Sequence, residues 1–378
     1  GRLAIDTEFM AERRYQAMLC LAQVAVRDAS GAGVETEIVD PLQDGHGDAL
    51  AAALADPAVE VVVHAGRQDV AILKRVWNMP VTNLFDTQIA AGFLGYGTQE
   101  SYRALVRRVL GIRIASAESF TRWDRRPLTE RQLRYARQDA RYLLELGEVL
   151  QERLEEAGRL EWAREECRAL EQVSDQRDPH VIFRRLPGVA RLNRRALSIA
   201  RELVDWREEM ARELDRNPGS VLPDHVLVEL ARQAPTRRDA LHDVRGVPPA
   251  TLHRHAHPLL DVIARGAQRP PPSLPKAPPP AAPEDAPLTA LLGSLVRHRA
   301  VESGIAAQLI ATQSELASLV AAVSREDAVG DLPVMNGWRR ELVGEELLAL
   351  LGGRLAVRVG DGRRLEVSPP EDPGQAAG

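Results

Sequence analysis

Four carboxylates and one phenol within the first 139 residues are the groups in this chain best suited to chemistry. Asp6 and Glu8 stand two apart in the run AIDTEF, Asp69 lies in VVVHAGRQDVAIL, and Tyr135 and Asp139 lie four apart in LRYARQDARYLL. Side chains alternate along a strand, so Asp6 and Glu8 share a face if their run is extended. Residues four apart share a helix face, so Tyr135 and Asp139 also point together. Asp69 follows the apolar run Val59–Val63, at the strand-to-helix turn where α/β sheets present functional groups. Carboxylates gathered in one place repel one another and attract hard divalent cations, Mg²⁺ or Mn²⁺. Two such ions about 3.5–4 Å apart support in-line attack on a phosphodiester, which makes a nuclease the expected class.

Each of these residues also has a plainer reading. Asp6 and Glu8 could be solvated charges at a strand edge, but the apolar run Leu3–Ile5 ahead of them implies burial, and buried acids need partners. Asp69 could cap the helix that follows, and the two roles are compatible. Asp139 alone would pass for a surface acid; its pairing with Tyr135 argues for more. A phenol with an ordinary pKa of about 10 is a poor base by itself, yet beside cations it can orient a water and accept its proton. Tyr142 is expected to pack beneath the site. His253, His255 and His257 alternate along a helical stretch, scatter around its axis and have no cysteine nearby, so no metal site is expected there.

The elements that must position these groups read as α/β over the first 170 residues. Strands are expected at Leu3–Phe9, Leu19–Val26 and Glu35–Val39, with short loops that suggest an antiparallel meander. The β-branched run Val59–Val63 reads as a buried strand reached by a crossover, and a short strand is expected near Thr82–Phe85. Helices are expected at Ala49–Leu54, Asp69–Trp77, Gln88–Leu94 and Tyr102–Leu110. Thr129 is the N-cap of a long helix carrying Tyr135 and Asp139.

At 378 residues the chain is long enough for two or three domains. Cys20 and Cys167 are the only cysteines, too few for a disulfide scaffold or a cysteine zinc site. No stretch is apolar enough to cross a bilayer, and a reducing, cytoplasmic setting is the expectation. The net charge of −5 does not advertise nucleic-acid binding, but a metal site would account for four of the acids, and local patches do the steering. Lysine occurs only at 74 and 276, so arginine carries nearly all the positive charge. Guanidinium forks suit phosphate, although a GC-rich coding bias explains the skew equally well.

From about Arg191 the alternation of strand and helix stops. ALSIARELVDWREEMARELDRN, LPDHVLVELAR and RRDALHDV read as amphipathic helices, the last ending at Gly246. Nine prolines in residues 270–287 mark an extended spacer with few contacts across it. A second helical set is expected from 288 to 352, then a hairpin around Asp361-Gly362 and a disordered tail from Pro369.

The three acidic motifs, in this order and spacing, resemble the DEDD superfamily of 3′→5′ exonucleases, in the subclass whose last motif is Tyr-x₃-Asp. DTEFMAERRYQAMLCLAQVAV, HAGRQDVAIL and SFTRWDRRPLTERQLRYARQDARYLLEL are most similar to the ribonuclease D family. Leu203, Trp206, Arg207, Pro218, Leu227, Pro235 and Gly246 resemble the HRDC module that this family shares with RecQ-type helicases, and LASLVAA with LPVMNGWRRELVGEELLALL resembles a second copy. The resemblance implies a ribonuclease-H-like exonuclease domain at 1–170 with a mixed sheet, a first HRDC-like domain at 191–269, a linker at 270–287 and a second HRDC-like domain at 288–352. It also implies a further strand and helix ahead of Asp6, so the chain is read as lacking its natural N-terminus. Two departures stand out: Arg122-Trp123 where the family has Asp-Trp, and Arg137 with Gln138 in place of small residues. Both bear on substrate handling rather than on metal ligands.

The resemblance further implies a metal-dependent exoribonuclease. Asp6, Glu8, Asp69 and Asp139 would hold two divalent cations, Tyr135 would orient the attacking water, and His64, which lies close to the site in this family, is a candidate substrate contact. The implied partners are tRNA precursors and other structured RNAs with single-stranded 3′ ends, with no membrane and no obligate protein partner. Residues 177–269, with a local excess of five positive charges, suit auxiliary RNA contact. Two alternatives stay open: a DNA exonuclease of the same superfamily, and an inactive RNA-binding scaffold.

Overall fold

β1 (Arg2–Met10) lies at the centre of a five-stranded mixed sheet, paired antiparallel with β2 (Met18–Arg27), which pairs antiparallel with β3 (Val34–Val39). α1 (Asp48–Ala55) then crosses to β4 (Glu60–Val63), parallel to β1, and α2 (Arg67–Trp77) leads to β5 (Leu84–Asp86) at the far edge. The order β3-β2-β1-β4-β5 is a meander followed by parallel crossovers, as the loop lengths suggest. The computed structural model describes residues 1–43, 45, 47–114, 122–273 and 282–370. Residues 119–121 of the third motif, residues 274–281 of the proline-rich stretch and the tail from 371 lie outside the described residues.

Alternation along β1 divides the core in two. Leu3 and Ile5 face Val61, Val63 and the helices α1 and α2. Ala4 faces the other way, with Ala25, Val62 and Phe85, under α3 (Thr87–Phe93), α4 (Tyr102–Leu110) and α6 (Leu143–Glu156). Small residues on this second face let helices approach closely. A Cβ at Gly147 of α6 would stand 2.8 Å from Val62 Cγ1. α5 (Glu130–Arg141) packs over β2 and β3, its start fixed by a capping box between Thr129 and Gln132. The expected long helix ends at Arg141; Tyr142, half-buried against the core, joins α5 to α6. α7 (Leu160–Glu171) closes the domain against β5.

Two helical modules follow, and they attach differently. The first comprises α8 (Pro179–Arg185), α9 (Arg194–Glu213), α10 (Pro218–Val221), α11 (Asp224–Gln233), α12 (Arg238–Asp243) and α13 (Pro249–Gln268). Its apolar core, to which only Tyr15 is added from outside among the described buried residues, begins at Phe183, earlier than the expected boundary at 191, because α8 packs along α9. Contact with the exonuclease domain comes from the β1–β2 loop. Tyr15 is buried in the module's core, Arg14 pairs with Asp215 at 2.6 Å, and the Arg177 and Arg212 guanidiniums lie over the Tyr15 ring.

The second module comprises α14 (Asp285–Ser303), α15 (Ala307–Ile310), α16 (Gln313–Ser324) and a helical run over residues 337–351 with a π-turn at Arg340–Gly344. Two expectations fail here. The linker does not extend to 287, since α14 begins at Asp285 with Pro287 in its first turn, where no backbone donor is required. Nor is the module a loosely tethered unit. It shares one continuous apolar core with the exonuclease helices. Trp338 packs edge-on to Phe93 at 4.8 Å and stacks on Trp162 at 5.6 Å, while its Nε1 donates to Glu166 at 2.9 Å. Arg339 pairs with the same carboxylate, and Arg159 donates to the carbonyls of Phe93 and Ser303. Proline content describes the connector and says nothing of the surfaces it joins. The expected hairpin forms as β6 (Ala356–Val359) and β7 (Leu365–Ser368).

Candidate active site

Asp6 and Glu8 project from the same face of β1, and α5 lowers Asp139 onto them from above. Carboxylate oxygens of Asp6, Glu8 and Asp139 lie within 4.8 Å of one another, and no other such group of acids, histidines and cysteines occurs among the described residues, the three histidines of α13 included. Asp69 stands beside this trio rather than within it. It sits in the first turn of α2, where its Oδ1 accepts a hydrogen bond from the Thr7 hydroxyl, on the opposite face of β1 from Asp6.

The turn that delivers Asp69 is held by a residue the sequence reading passed over. The Asp86 carboxylate, at the end of β5, accepts from the backbone N–H of Ala65 at 3.1 Å and of Gly66 at 2.9 Å. It also caps α3 through Gln88 N–H at 2.8 Å. Gly66 is needed because a Cβ there would lie 2.6 Å from Val63 Cγ2. His64, directly after β4, has both ring nitrogens engaged. Nε2 lies 3.1 Å from the Glu100 carbonyl, which can only accept, so Nε2 carries the proton; Nδ1 lies 2.9 Å from the Thr87 hydroxyl. Its ring lines the catalytic cavity, with its polar atoms turned to the protein.

Electrostatics mark the site as strained. Burial raises the pKa of Asp6 well above its usual value, and the charges of Asp69, Asp139 and Glu8 push it further. Glu8 is pushed up to about 8, by burial and then by Asp139 and Asp69. Burial also raises Asp69 and Asp139, partly offset by the Thr7 hydroxyl at the first and by Tyr135 and Arg103 at the second. The Tyr135 phenol is pushed upward too, by burial, by its hydrogen bond to Asp139 and by the carboxylate charges. In the metal-free protein it therefore keeps its proton at neutral pH, with its hydrogen on Asp139.

An open cavity of about 400 Å³ above the carboxylates is lined by Asp6, His64, Tyr102, Arg103, Tyr135 and Asp139. Arg103, in the first turn of α4, was not singled out by sequence. Its guanidinium lies 5.9 Å from the Tyr135 ring centroid and has no carboxylate partner among the described residues. Trp123 is buried against Tyr135 at 6.0 Å, whereas Arg122 turns outward to pair with Asp124 at 2.7 Å. Arg126 ties this loop to the sheet by a bidentate pair with Asp40 and a bond to the Cys20 carbonyl. The all-carboxylate donor set suits a hard cation such as Mg²⁺ or Mn²⁺ rather than zinc, and four buried acids with raised pKa values lack the counter-charge a cation would give.

Residues 1–155 match the 3′-5′ exonuclease family, and residues 196–263 match the HRDC domain. Fold and family together place the chain among the 3′→5′ exonucleases, which work with divalent metal ions. The chain is 37% identical to ribonuclease D of Acidiphilium cryptum, over 97% of this chain and 91% of that protein, and 36% identical to ribonuclease D of Gluconacetobacter diazotrophicus with the same coverage. Its fold superposes on Escherichia coli RNase D, an exoribonuclease involved in structured RNA processing, with a TM-score of 0.80, 29% identity and 93% of each chain covered. The chain belongs to the ribonuclease D family and is a 3′→5′ exoribonuclease.

Proposed function

We propose that Asp6, Glu8, Asp69 and Asp139 hold two divalent cations, Mg²⁺ or Mn²⁺, and that the enzyme trims structured RNAs, tRNA precursors among them, from single-stranded 3′ ends. The convergence of three carboxylates beneath Tyr135 in one cavity carries this reading. Asp6, Glu8 and Asp139 would hold one ion, and Asp69 would complete the donor set for a second. Bound there, the cations supply Lewis-acid polarisation of the scissile phosphate and a lowered pKa for water.

The chain's own residues do the rest. Tyr135 donates to Asp139, which fixes the phenol and leaves its oxygen to accept a hydrogen bond from the attacking water, orienting it toward phosphorus. The Arg103 guanidinium, which lines the cavity near Tyr135 and Asp139, lies where phosphate charge enters. Cleavage of the bond to the leaving 3′-oxygen releases a nucleoside 5′-monophosphate. The first helical module, gripped by the β1–β2 loop, holds the RNA body. Residues 285–351 form a second HRDC-like bundle that braces the catalytic layer. Two buried free cysteines suit a reducing, cytoplasmic setting.

The reading is tested with 3′-extended tRNA and matched single-stranded DNA, each in Mg²⁺, Mn²⁺ or chelator. Metal-dependent release of mononucleotides from RNA is expected, and preference for DNA would refute it. Tyr135→Phe should lower kcat by about a hundredfold, the order expected when one preorganised hydrogen-bonding group is lost, with metal affinity little changed. Recovery of that variant at high Mn²⁺ would make the tyrosine part of the metal site.

A further inference from the structure

Gln23 is fully buried on β2, and neither its amide nitrogen nor its amide oxygen has a partner among the described residues. Buried polar side chains are nearly always hydrogen-bonded, so an orphaned amide needs a reason. Register supplies its surroundings. Gln23 pairs directly with Asp6 on one side and Ile38 on the other, and paired residues of antiparallel strands project from the same face. Along β2 its same-face neighbours are Leu21 and Ala25, and α5 packs over the strand. The polar group set beside it is the Asp6 carboxylate. A methionine or leucine would fill the same space without the burial cost.

We infer that Gln23 is a positioning residue: with cations bound, its amide N–H donates to an Asp6 oxygen and fixes that carboxylate in its ligating orientation. An amide suits this task because it steadies a carboxylate without neutralising it. A lysine or arginine at this position would compete with the metal for the same charge, whereas a donor of zero net charge leaves the full negative charge facing the ion. The inference rests on the proposed metal site.

The test is Gln23→Met, with Mn²⁺ binding followed by electron paramagnetic resonance and unfolding followed in chelator. Mn²⁺ affinity is expected to fall about tenfold, the lower end for losing a partner that orients a metal ligand. Stability in chelator is expected to hold or rise, because an unpaired amide has been removed. A packing role would give the opposite pair of results, a less stable metal-free protein with unchanged Mn²⁺ affinity, and would overturn the inference. In an Asp6→Asn background Gln23→Met should have no further effect on Mn²⁺ binding, whereas additive losses would mean that the amide does not act through Asp6. If the parent protein itself binds no Mn²⁺, the metal site fails and this inference with it; a parent that binds while Gln23→Met matches it overturns the role of Gln23 alone.

Discussion

The two faces of β1 are built for different ends from alternate residues of one strand. Leu3 and Ile5 look into an apolar layer with α1 and α2, which stays apolar until Thr7 meets Asp69 at its end. Ala4, Asp6 and Glu8 look into the layer of α5 and α6, where apolar packing gives way within two residues to carboxylates held together against their own repulsion. The first face stabilises the fold; the second loses stability to gain a site. Such a division can exist because a strand's side-chain period is two, so a single backbone serves both layers without compromise.

Asp139→Asn should break the catalytic face most completely. Loss of a ligand charge removes several kcal/mol of transition-state stabilisation, which at about 1.4 kcal/mol per decade is a hundredfold to a thousandfold in kcat. Metal-free stability should rise in the same variant, since one repelling charge is gone. A variant that is both inactive and less stable in chelator would show that the acids are not the strained element.

Trp338→Ala tests what backs that face. Trp338 links Phe93 and Trp162 in the apolar core that continues from beneath Ala4 into the distal module. A buried tryptophan replaced by alanine costs about 3–5 kcal/mol. Unfolding in urea should register most of this, with kcat per folded molecule close to normal at low temperature. For the same reason, a chain ended within residues 270–287 would leave this apolar surface exposed and should aggregate. A soluble, fully active fragment would mean that the shared core is dispensable.

How far these features could be read from sequence depends on whether they are local. Asp6, Glu8, Tyr135 and Asp139 were legible because spacings of two and four translate directly into shared faces, and the meander was legible from loop length. Asp86 was not, because its task is to hold the backbone of residues 65 and 66, which only the parallel pairing of β4 with β5 brings near. Arg103 was one arginine among 47 until the fold placed it over Tyr135. Gln23 was not singled out by sequence at all. Its burial follows from α5 crossing above β2, which no property of β2 itself announces. The joined core of the distal module was hidden for a related reason, since its apolar residues show that a surface is covered but not by what.

The pH dependence separates the faces more gently. Asp6, Glu8, Asp69 and Asp139 all have raised pKa values in the metal-free protein, so the folded state keeps protons that the unfolded chain has released. More protons bound in the folded state means that stability falls as pH rises. The stabilisation is fully present below the ordinary carboxylate range and is lost as pH passes the raised values, about 8 for Glu8. In chelator the unfolding midpoint should therefore fall between about pH 5 and pH 8, and Glu8→Gln should flatten the decline. Saturating Mn²⁺ should reverse the trend, because the metal binds the deprotonated acids. A midpoint that does not fall in chelator would mean that the acids are not held close enough to resist ionisation.

The smallest expected effect is the most searching test of the division. Ile5 sits between Ala4 and Asp6 in sequence but belongs wholly to the other layer, buried against Val61, Val63 and α2. Ile5→Val removes one methyl group from that packing and should cost about 0.5–1.5 kcal/mol. The backbone of β1 is held on one side by β2 and on the other by β4, so a slight loosening beneath it should not move Asp6, one residue on and facing away. Calorimetry should register the loss, while kcat and Mn²⁺ affinity per folded molecule stay at parental values. If Ile5→Val instead weakens Mn²⁺ binding as much as Gln23→Met does, then the apolar layer sets the position of the carboxylates, and the two faces are one mechanical unit rather than two.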